Sequence, residues 1–272
     1  LGNLNNSIEQ RVSAIKVIAK LENNTSSRIL CRYLRDESIT IRTTVARSLL
    51  KLKTKQASIV LDYDSIDQAL LSEAKQWYKT HNSIVCFNDN PAASLLVDAL
   101  SHSHERQKSQ IMALLGLKYS HSTMELVEHN LNSPVAATRA NAIEVIDNLL
   151  ETEEKQIFIS LFEDFTPTRR SQIGADFFGL KQLSVDEYII QFLTGVDNWM
   201  KACAMMFLAQ TDVGPFEKQI NKKLYDANPL CRETALFALH KSSSIKKVNE
   251  ILLSDEDRAV KEYSIWVDSQ LP

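Results

Sequence analysis

The chain has 272 residues, of which 44% are hydrophobic and 24% charged, an ordinary globular composition with ample material for a core. Its net charge of −3 argues against a general nucleic-acid binder, because such proteins usually carry a basic surface stripe. Only six glycines and six prolines are present, and so few helix breakers favour an all-helical chain.

The N-terminal part shows a pair of helices joined by a polar turn. A short amphipathic run over 27–34 precedes the turn at 35–38, and a second helix is predicted over about 41–52. Apolar residues at helical spacing form one face of this second helix: Ile41, Val45, Leu49 and Leu52. The stretch from about 57 to 90 fits this pattern poorly, and we interpret it as a degenerate repeat or an inserted loop.

Further pairs follow along the chain. The run 88–91 predicts a loop before a helix over 92–100, and 163–168 is a second interruption. The later inter-helix turns contain Asp, which is favoured as the N-cap of a following helix, and Pro, which is favoured in the first turn of such a helix. Second helices are predicted at three places in the remainder of the chain: 137–150, 200–210 and 230–241.

A basic residue returns about every 31 positions within this pattern, usually eight places after a leucine. The basic positions are Arg11, Arg42, Lys108, Arg139, Arg169, Lys201, Arg232 and Lys261, of which Lys108 and Arg169 are weaker copies. Self-similarity at such a period is typical of solenoids, whose function usually lies in what their long surface binds.

The recurring pattern Leu-x-Asp-x-x-x-x-Ile/Val-Arg-x-x-Ala resembles the HEAT repeat. Its best copies are Leu34, Asp36, Ile41 and Arg42, then Leu224, Asp226 and Arg232, and finally Leu253, Asp255, Val260 and Lys261. The resemblance implies an all-α, right-handed α-α superhelix of about eight or nine helical pairs, and one repeat domain over 1–272. It also implies a structural ladder between successive repeats, formed by Asp36, Arg42, Arg139, Lys201, Asp226, Arg232, Asp255 and Lys261.

A narrower resemblance covers about 40 residues, in the blocks 111–117 and 139–150. These blocks are similar to HEAT-type soluble extensions of bacterial transporter-like membrane proteins related to ATP/ADP translocases. The resemblance implies a cytoplasmic module attached to a membrane protein. The chain also opens near the middle of a repeat and without an initiator methionine, so we expect it to be part of a longer polypeptide.

Other features of the sequence favour a reducing compartment. Cys31, Cys86, Cys203 and Cys231 are widely spaced and form no C-x-x-C pair, so neither a disulfide framework nor a zinc site is predicted. No apolar run approaches the length of a membrane span or of a signal segment. We therefore expect a cytoplasmic protein, associated with a membrane only through regions outside these residues.

No motif predicts an enzyme. The glycines form no phosphate-binding loop, and H-E-x-x-H and G-x-S-x-G are absent. His102 and His104 are expected in a solvated inter-helix turn rather than in a metal site. Cys203 and Cys231, on second helices, are expected to be small buried residues. The sequence predicts no catalytic residue, no metal and no cofactor.

The surface of the second helices is the best candidate for a partner site, since these helices usually line the concave side of a HEAT stack. Eight residues are predicted to contact a protein partner: the basic Lys16, Lys20, Arg47 and Lys51, and the apolar Met206, Phe207, Phe237 and Trp266. The alternatives are a solvated face for the cations and burial in the core for the aromatic residues.

These observations favour a non-catalytic scaffold or regulatory module that binds protein. Two alternatives remain at this point. A HEAT-like DNA glycosylase needs a basic concave face, which Glu144 and the apolar residues interrupt. A HEAT-like bilin lyase is the other, although no residue here requires it.

Overall fold

A computed structural model of the chain describes residues 7–245 and 247–271. Within these residues the regular elements are all helical, which confirms the all-α prediction. The helices are α1 (Ile8–Ala19), α2 (Asn24–Cys31), α3 (Ile39–Lys55), α4 (Tyr63–Phe87), α5 (Ser94–Lys118), α6 (His121–Leu131), α7 (Ala136–Leu149), α8 (Thr152–Ile159), α9 (Pro167–Phe178), α10 (Val185–Thr194), α11 (Asn198–Gln210), α12 (Glu217–Lys223), α13 (Pro229–Lys241), α14 (Glu250–Leu253) and α15 (Arg258–Gln270).

The helix boundaries follow from local sequence. Second helices predicted at 41–52, 137–150, 200–210 and 230–241 correspond to α3, α7, α11 and α13. Side chains that accept hydrogen bonds from the first-turn amides fix several starts, as in the capping boxes of Ser7 and Ser184. Proline occupies the first turn of α9 and of α13, where its missing N–H is not needed.

The region 57–90 is mostly one long helix, α4, and the predicted loop follows it at 88–90. The helix predicted over 92–100 continues as α5 to Lys118, so the turn predicted at His102 and His104 is wrong. Neither proline nor glycine interrupts 94–115, and buried Leu100, Gln107 and Ile111 recur at helical spacing across the polar stretch.

The residues divide into two compact units, each with its own buried apolar cluster. The first unit contains the described residues up to His81 together with His104–Lys181, and the second contains Asn82–Ser103 and the described residues from Gln182 onward. The division therefore falls within α4 and α5. The single repeat array over 1–272 stays a prediction.

The first unit is built from adjacent helices in pairs. Helix α1 packs on α2 and α3, α6 on α7, and α8 on α7 and α9. Its core includes Trp77 and Tyr78 of α4, both almost fully buried. The second unit contains three helical pairs, α10 with α11, α12 with α13 and α14 with α15, and the longer helix of each pair packs on the next. No helix among the described residues is both long and apolar enough to cross a bilayer.

Gly174 allows α9 to approach Tyr78 closely. A Cβ atom at this position would lie 3.1 Å from Tyr78 Cβ and 3.2 Å from its Cδ1. Tyr78 has little freedom to move, because its buried hydroxyl donates to the Ile157 carbonyl at 2.7 Å and also bonds the Ser160 hydroxyl. Glycine is therefore needed at position 174 so that α9 can pack against Tyr78, and not because the backbone there has an unusual conformation.

Gly174→Ala is therefore expected to lower the free energy of unfolding by about 1–2 kcal/mol, because overpacking outweighs the gain in helix propensity. Urea unfolding followed by circular dichroism measures the change. Gly116→Ala is the matched control, since its added Cβ would find its nearest neighbour at 3.5 Å, an ordinary contact. The control is expected to be neutral or slightly stabilising, and equal stability of the two variants would contradict the overpacking argument.

Candidate functional site

Three arginines of the predicted ladder share one hydrogen-bond pattern. Arg42, Arg139 and Arg232 each donate from Nη1 to the carbonyl oxygens six and five positions earlier, in the preceding turn. The six donor–acceptor distances lie between 2.7 and 3.2 Å. Each guanidinium therefore connects its own helix to the turn that precedes it, through two charge-assisted hydrogen bonds.

Four cations of the recurring basic positions each contact an acidic side chain further along the chain. The ion pairs are Arg11 with Asp36, Arg42 with Glu73, Lys201 with Asp226 at 3.8 Å, and Arg232 with Asp255 at 2.6 Å. The three aspartates also accept from the backbone N–H two residues later, at distances of 2.9–3.0 Å. Each carboxylate is therefore held by its own turn when it receives the cation.

The pattern is not continuous. Arg139 keeps its carbonyl contacts but has no carboxylate partner among the described residues, and Lys261 is exposed with no ion pair in that part of the chain. Near the weaker copy at Arg169, it is Arg170 that contacts the preceding loop, through the carbonyl oxygens of Ser160 at 3.1 Å and Glu163 at 2.6 Å. The predicted position is therefore one residue too early there.

Helices α1 and α3 lie side by side and run in the same direction. Arg11, in the first turn of α1, pairs with Asp36 just before α3 begins. Glu22, just after α1 ends, pairs with Lys55 at the end of α3, at 2.7 Å. Because both ends are matched, positions 31 apart lie level with each other: Lys16 with Arg47, and Lys20 with Lys51.

A groove of about 520 Å³ runs between these two helices. One wall carries Lys16 and Lys20 of α1, and the other carries Arg47, Lys51 and Lys55 of α3. Six further residues line the groove: Val12, Ala19, Leu52, Thr44 and Ser48 between the walls, and Glu22 at the end where α1 stops. All four basic residues of the sequence-predicted partner site are therefore brought together in one groove.

The charge of the groove is largely uncompensated. Lys16, Lys20, Arg47 and Lys51 are exposed, and none forms an ion pair with a described residue. Lys55 is the exception because Glu22 neutralises it. Sequence reasoning missed Lys55 and Glu22, although Lys55 continues the four-residue spacing of Arg47 and Lys51. The groove therefore presents four free positive charges to a ligand.

No family model, curated protein or solved structure matches this chain. The functional interpretation of the groove therefore depends on its own geometry and charge.

The apolar half of the predicted partner site lies in the second unit and is only partly exposed. Phe207 is 4% exposed and packs edge-on against Phe87, with ring centroids 5.4 Å apart, so its prediction as a surface residue is wrong. Met206 and Phe237 are half-buried, and the Lys241 ammonium lies over the Phe237 ring. Trp266 remains 50% exposed beside Tyr263 and His240. Three of these four residues therefore contribute to the core of the second unit, and only Trp266 presents a largely exposed aromatic surface.

A stack of aromatic rings lies in the core of the first unit. The Trp77 ring stacks on His104 of α5, with centroids 4.1 Å apart, and on His81 at 5.8 Å. The Arg170 guanidinium lies 5.9 Å from the Trp77 ring. The His104 Nε2 and Trp77 Nε1 atoms are buried without a hydrogen-bond partner among the described residues.

Burial of this stack disfavours imidazolium. Desolvation, together with the nearby charges of His81, Arg170 and Lys108, lowers the pKa of His104 to about 3. Burial also lowers the pKa of His81, although the Pro167 carbonyl at 3.1 Å from its Nε2 opposes the change. Both rings are therefore neutral at physiological pH.

The cysteines of the second helices are poor nucleophile candidates. Cys203 and Cys231 are buried, as the sequence predicts, and desolvation raises the pKa of Cys203 to about 11 and raises that of Cys231. Their thiols therefore remain protonated at neutral pH, whereas a nucleophilic cysteine needs a lowered pKa. No group of three metal-ligating side chains converges within the part of the chain that the structure describes.

Proposed function

We propose that this chain is a non-catalytic protein-interaction module with a HEAT-like solenoid architecture, and that its partner binds in the groove between α1 and α3. The observation that carries the proposal is the set of four exposed, unpaired cations on the facing walls of this groove. Exposed charge that has no internal partner stabilises nothing in the isolated chain, but it contributes to the rate and specificity of association.

The architecture has separate support. Each unit contains an arginine that both donates to the preceding turn and pairs with a carboxylate further along the chain: Arg42 in the first unit and Arg232 in the second. Helical pairs of similar length also follow one another within the second unit. This is the arrangement that the resemblance to HEAT repeats implies. The proposed location is the cytoplasm, with attachment to a larger membrane protein as the wider context, and the four free cysteines support a reducing compartment.

The proposal is tested by reversing charge in the groove. Lys16→Glu/Arg47→Glu should abolish capture of a partner protein that is identified by mass spectrometry and then purified and titrated against the wild-type chain. Lys75→Glu/Arg106→Glu is the matched control: both residues are exposed in the same unit, and the change in net charge is the same. A purified partner that binds all three proteins equally would overturn the assignment of the groove.

The nucleic-acid alternative gives a different result in the same variants. If the groove binds phosphate backbones, a labelled DNA duplex will bind the wild-type chain with an affinity that falls steeply with salt, and the groove variant will lose this binding. The apolar residues between the two basic walls favour a protein segment instead, because a phosphate backbone has no apolar groups with which to cover them.

A further inference from the structure

We propose that the groove between α1 and α3 receives an acidic amphipathic helix of about two to three turns, with carboxylates on both sides of an apolar stripe. This inference rests on the proposed function, because it specifies the chemistry of the partner segment at the same site. It follows from the spacing of the cations, the nature of the residues between them, and the size of the groove.

The cations form two parallel rows. Because a helix rises 1.5 Å per residue, Lys16 and Lys20 are about 6 Å apart along α1, as are Arg47 and Lys51 along α3. Packed helices lie about 8–10 Å apart, and this sets the distance between the rows. Lys16 faces Arg47 and Lys20 faces Lys51, so the four charges form two rungs one helical turn apart.

An incoming helix has the matching repeat. Carboxylates at i and i+4 on one side of a helix are also about 6 Å apart along its axis, and those on the opposite side lie roughly a helix diameter away. Such a helix places two carboxylates against each basic row. An extended chain has a similar repeat of about 6.6 Å on each of its two sides. If those alternating side chains are the carboxylates, however, none remains to point between the rows and cover the apolar residues of the groove.

The residues between the rows fit an apolar stripe. Val12, Ala19 and Leu52 lie between the charged walls, with the Thr44 and Ser48 hydroxyls among them. The Thr44 hydroxyl already donates to the Thr40 carbonyl at 2.7 Å, so it makes little demand on a ligand. Side chains of leucine or isoleucine size from the incoming helix would cover this surface while their flanking carboxylates contact the lysines and Arg47.

The ends of the groove limit its occupant. Glu22 lies at the end where α1 stops, and its pairing with Lys55 closes the basic surface there with a neutral pair. The free cations therefore span only two rungs, which suits a short segment with four carboxylates rather than a long polyanion.

The test uses labelled synthetic peptides of about fourteen residues and fluorescence anisotropy with the purified chain. The first peptide places glutamates on both sides of a leucine stripe at helical spacing. The second has the same composition in scrambled order, the third is polyglutamate, and the fourth probe is a DNA duplex. We expect the amphipathic peptide to bind at least about tenfold more tightly than the scrambled peptide or polyglutamate, and to weaken as salt rises.

The variants locate the binding. Lys16→Glu/Arg47→Glu should weaken the amphipathic peptide by at least about tenfold, while Lys75→Glu/Arg106→Glu should leave its affinity within about twofold of the wild type. A peptide with lysines in place of the glutamates at one rung should recover binding to the groove variant and lose binding to the wild type. This exchange is a result that a general loss of folding cannot produce.

Other outcomes overturn the inference. Equal affinity for scrambled peptide or polyglutamate would show that the groove selects charge alone, and preferential, groove-dependent binding of the DNA duplex would assign it to nucleic acid. If no peptide binds, the acidic helix is wrong, and the proposed function is then judged separately by whether the purified natural partner depends on Lys16 and Arg47.

Discussion

Replacing Arg232 by methionine is expected to lower the stability of the second unit by about 3 kcal/mol. Arg232 donates to both Asp255 carboxylate oxygens, at 2.6 and 2.8 Å, and to two carbonyl oxygens of the preceding turn. The side chains of the pair are only 16% and 5% exposed. Methionine preserves much of the side-chain volume but leaves the carboxylate of Asp255 and both carbonyl groups without their charged partner.

Hydrogen exchange of the α13 and α15 amides, with urea unfolding, measures this loss where it occurs. Arg258→Met is the matched control, because Arg258 and Glu262 form an exposed pair within one helix at 2.7 Å, and its loss should change stability by no more than about 0.5 kcal/mol. Adding Asp255→Asn to Arg232→Met should cost less than the sum of the single changes, since the stranded charge is then removed. Equal effects of the Arg232 and Arg258 substitutions would contradict the role of the ladder.

Mild acid is expected to destabilise the first unit through His104 and His81, whose rings stack on Trp77. The pKa of His104 is about 3 in the folded chain against an ordinary value of 6.5, so between these limits the unfolded chain binds a proton that the folded chain does not. Stability from this group is fully present above pH 6.5 and is lost as the pH falls towards 3. At about 1.4 kcal/mol per pKa unit, the loss approaches about 4–5 kcal/mol. His81 contributes in the same direction.

Urea unfolding measured from pH 7.5 to pH 4 tests this dependence. His104→Phe keeps an aromatic ring beside Trp77 but removes the titrating group, so its stability should fall less steeply with acid than that of the wild type. Carboxylates with lowered pKa values, such as Asp226 and Asp255, also lose stabilising charge in acid, and the comparison between proteins removes their common contribution. His102→Phe, at an exposed position of the same helix, should leave the slope unchanged. Parallel pH profiles for all three proteins would contradict the assignment to His104.

Local pattern accounts for much of what the sequence predicts correctly. The sequence predicts α3, α7, α11 and α13 because apolar residues recur there at helical spacing and turn residues mark the helix starts. The four basic residues of the groove are predicted from the same recurring pattern, since residues 31 apart fall at equivalent places in successive copies of it. The turn predicted at His102 is wrong because the polar composition there resembles that of a turn, although no residue in this stretch breaks a helix.

The amino-acid sequence by itself determined the helical class and most second-helix boundaries, because these depend on short-range spacing and on a pattern that recurs along the chain. Only the tertiary structure decided that Arg42 pairs with Glu73, that Phe207 is buried against Phe87, and that His104 stacks on Trp77. Each contact joins residues more than 20 positions apart, and each has a partner on α4, a long helix that does not follow the regular pattern. Their geometry depends on how whole helices pack, and side-chain packing leaves no periodic mark in a single sequence.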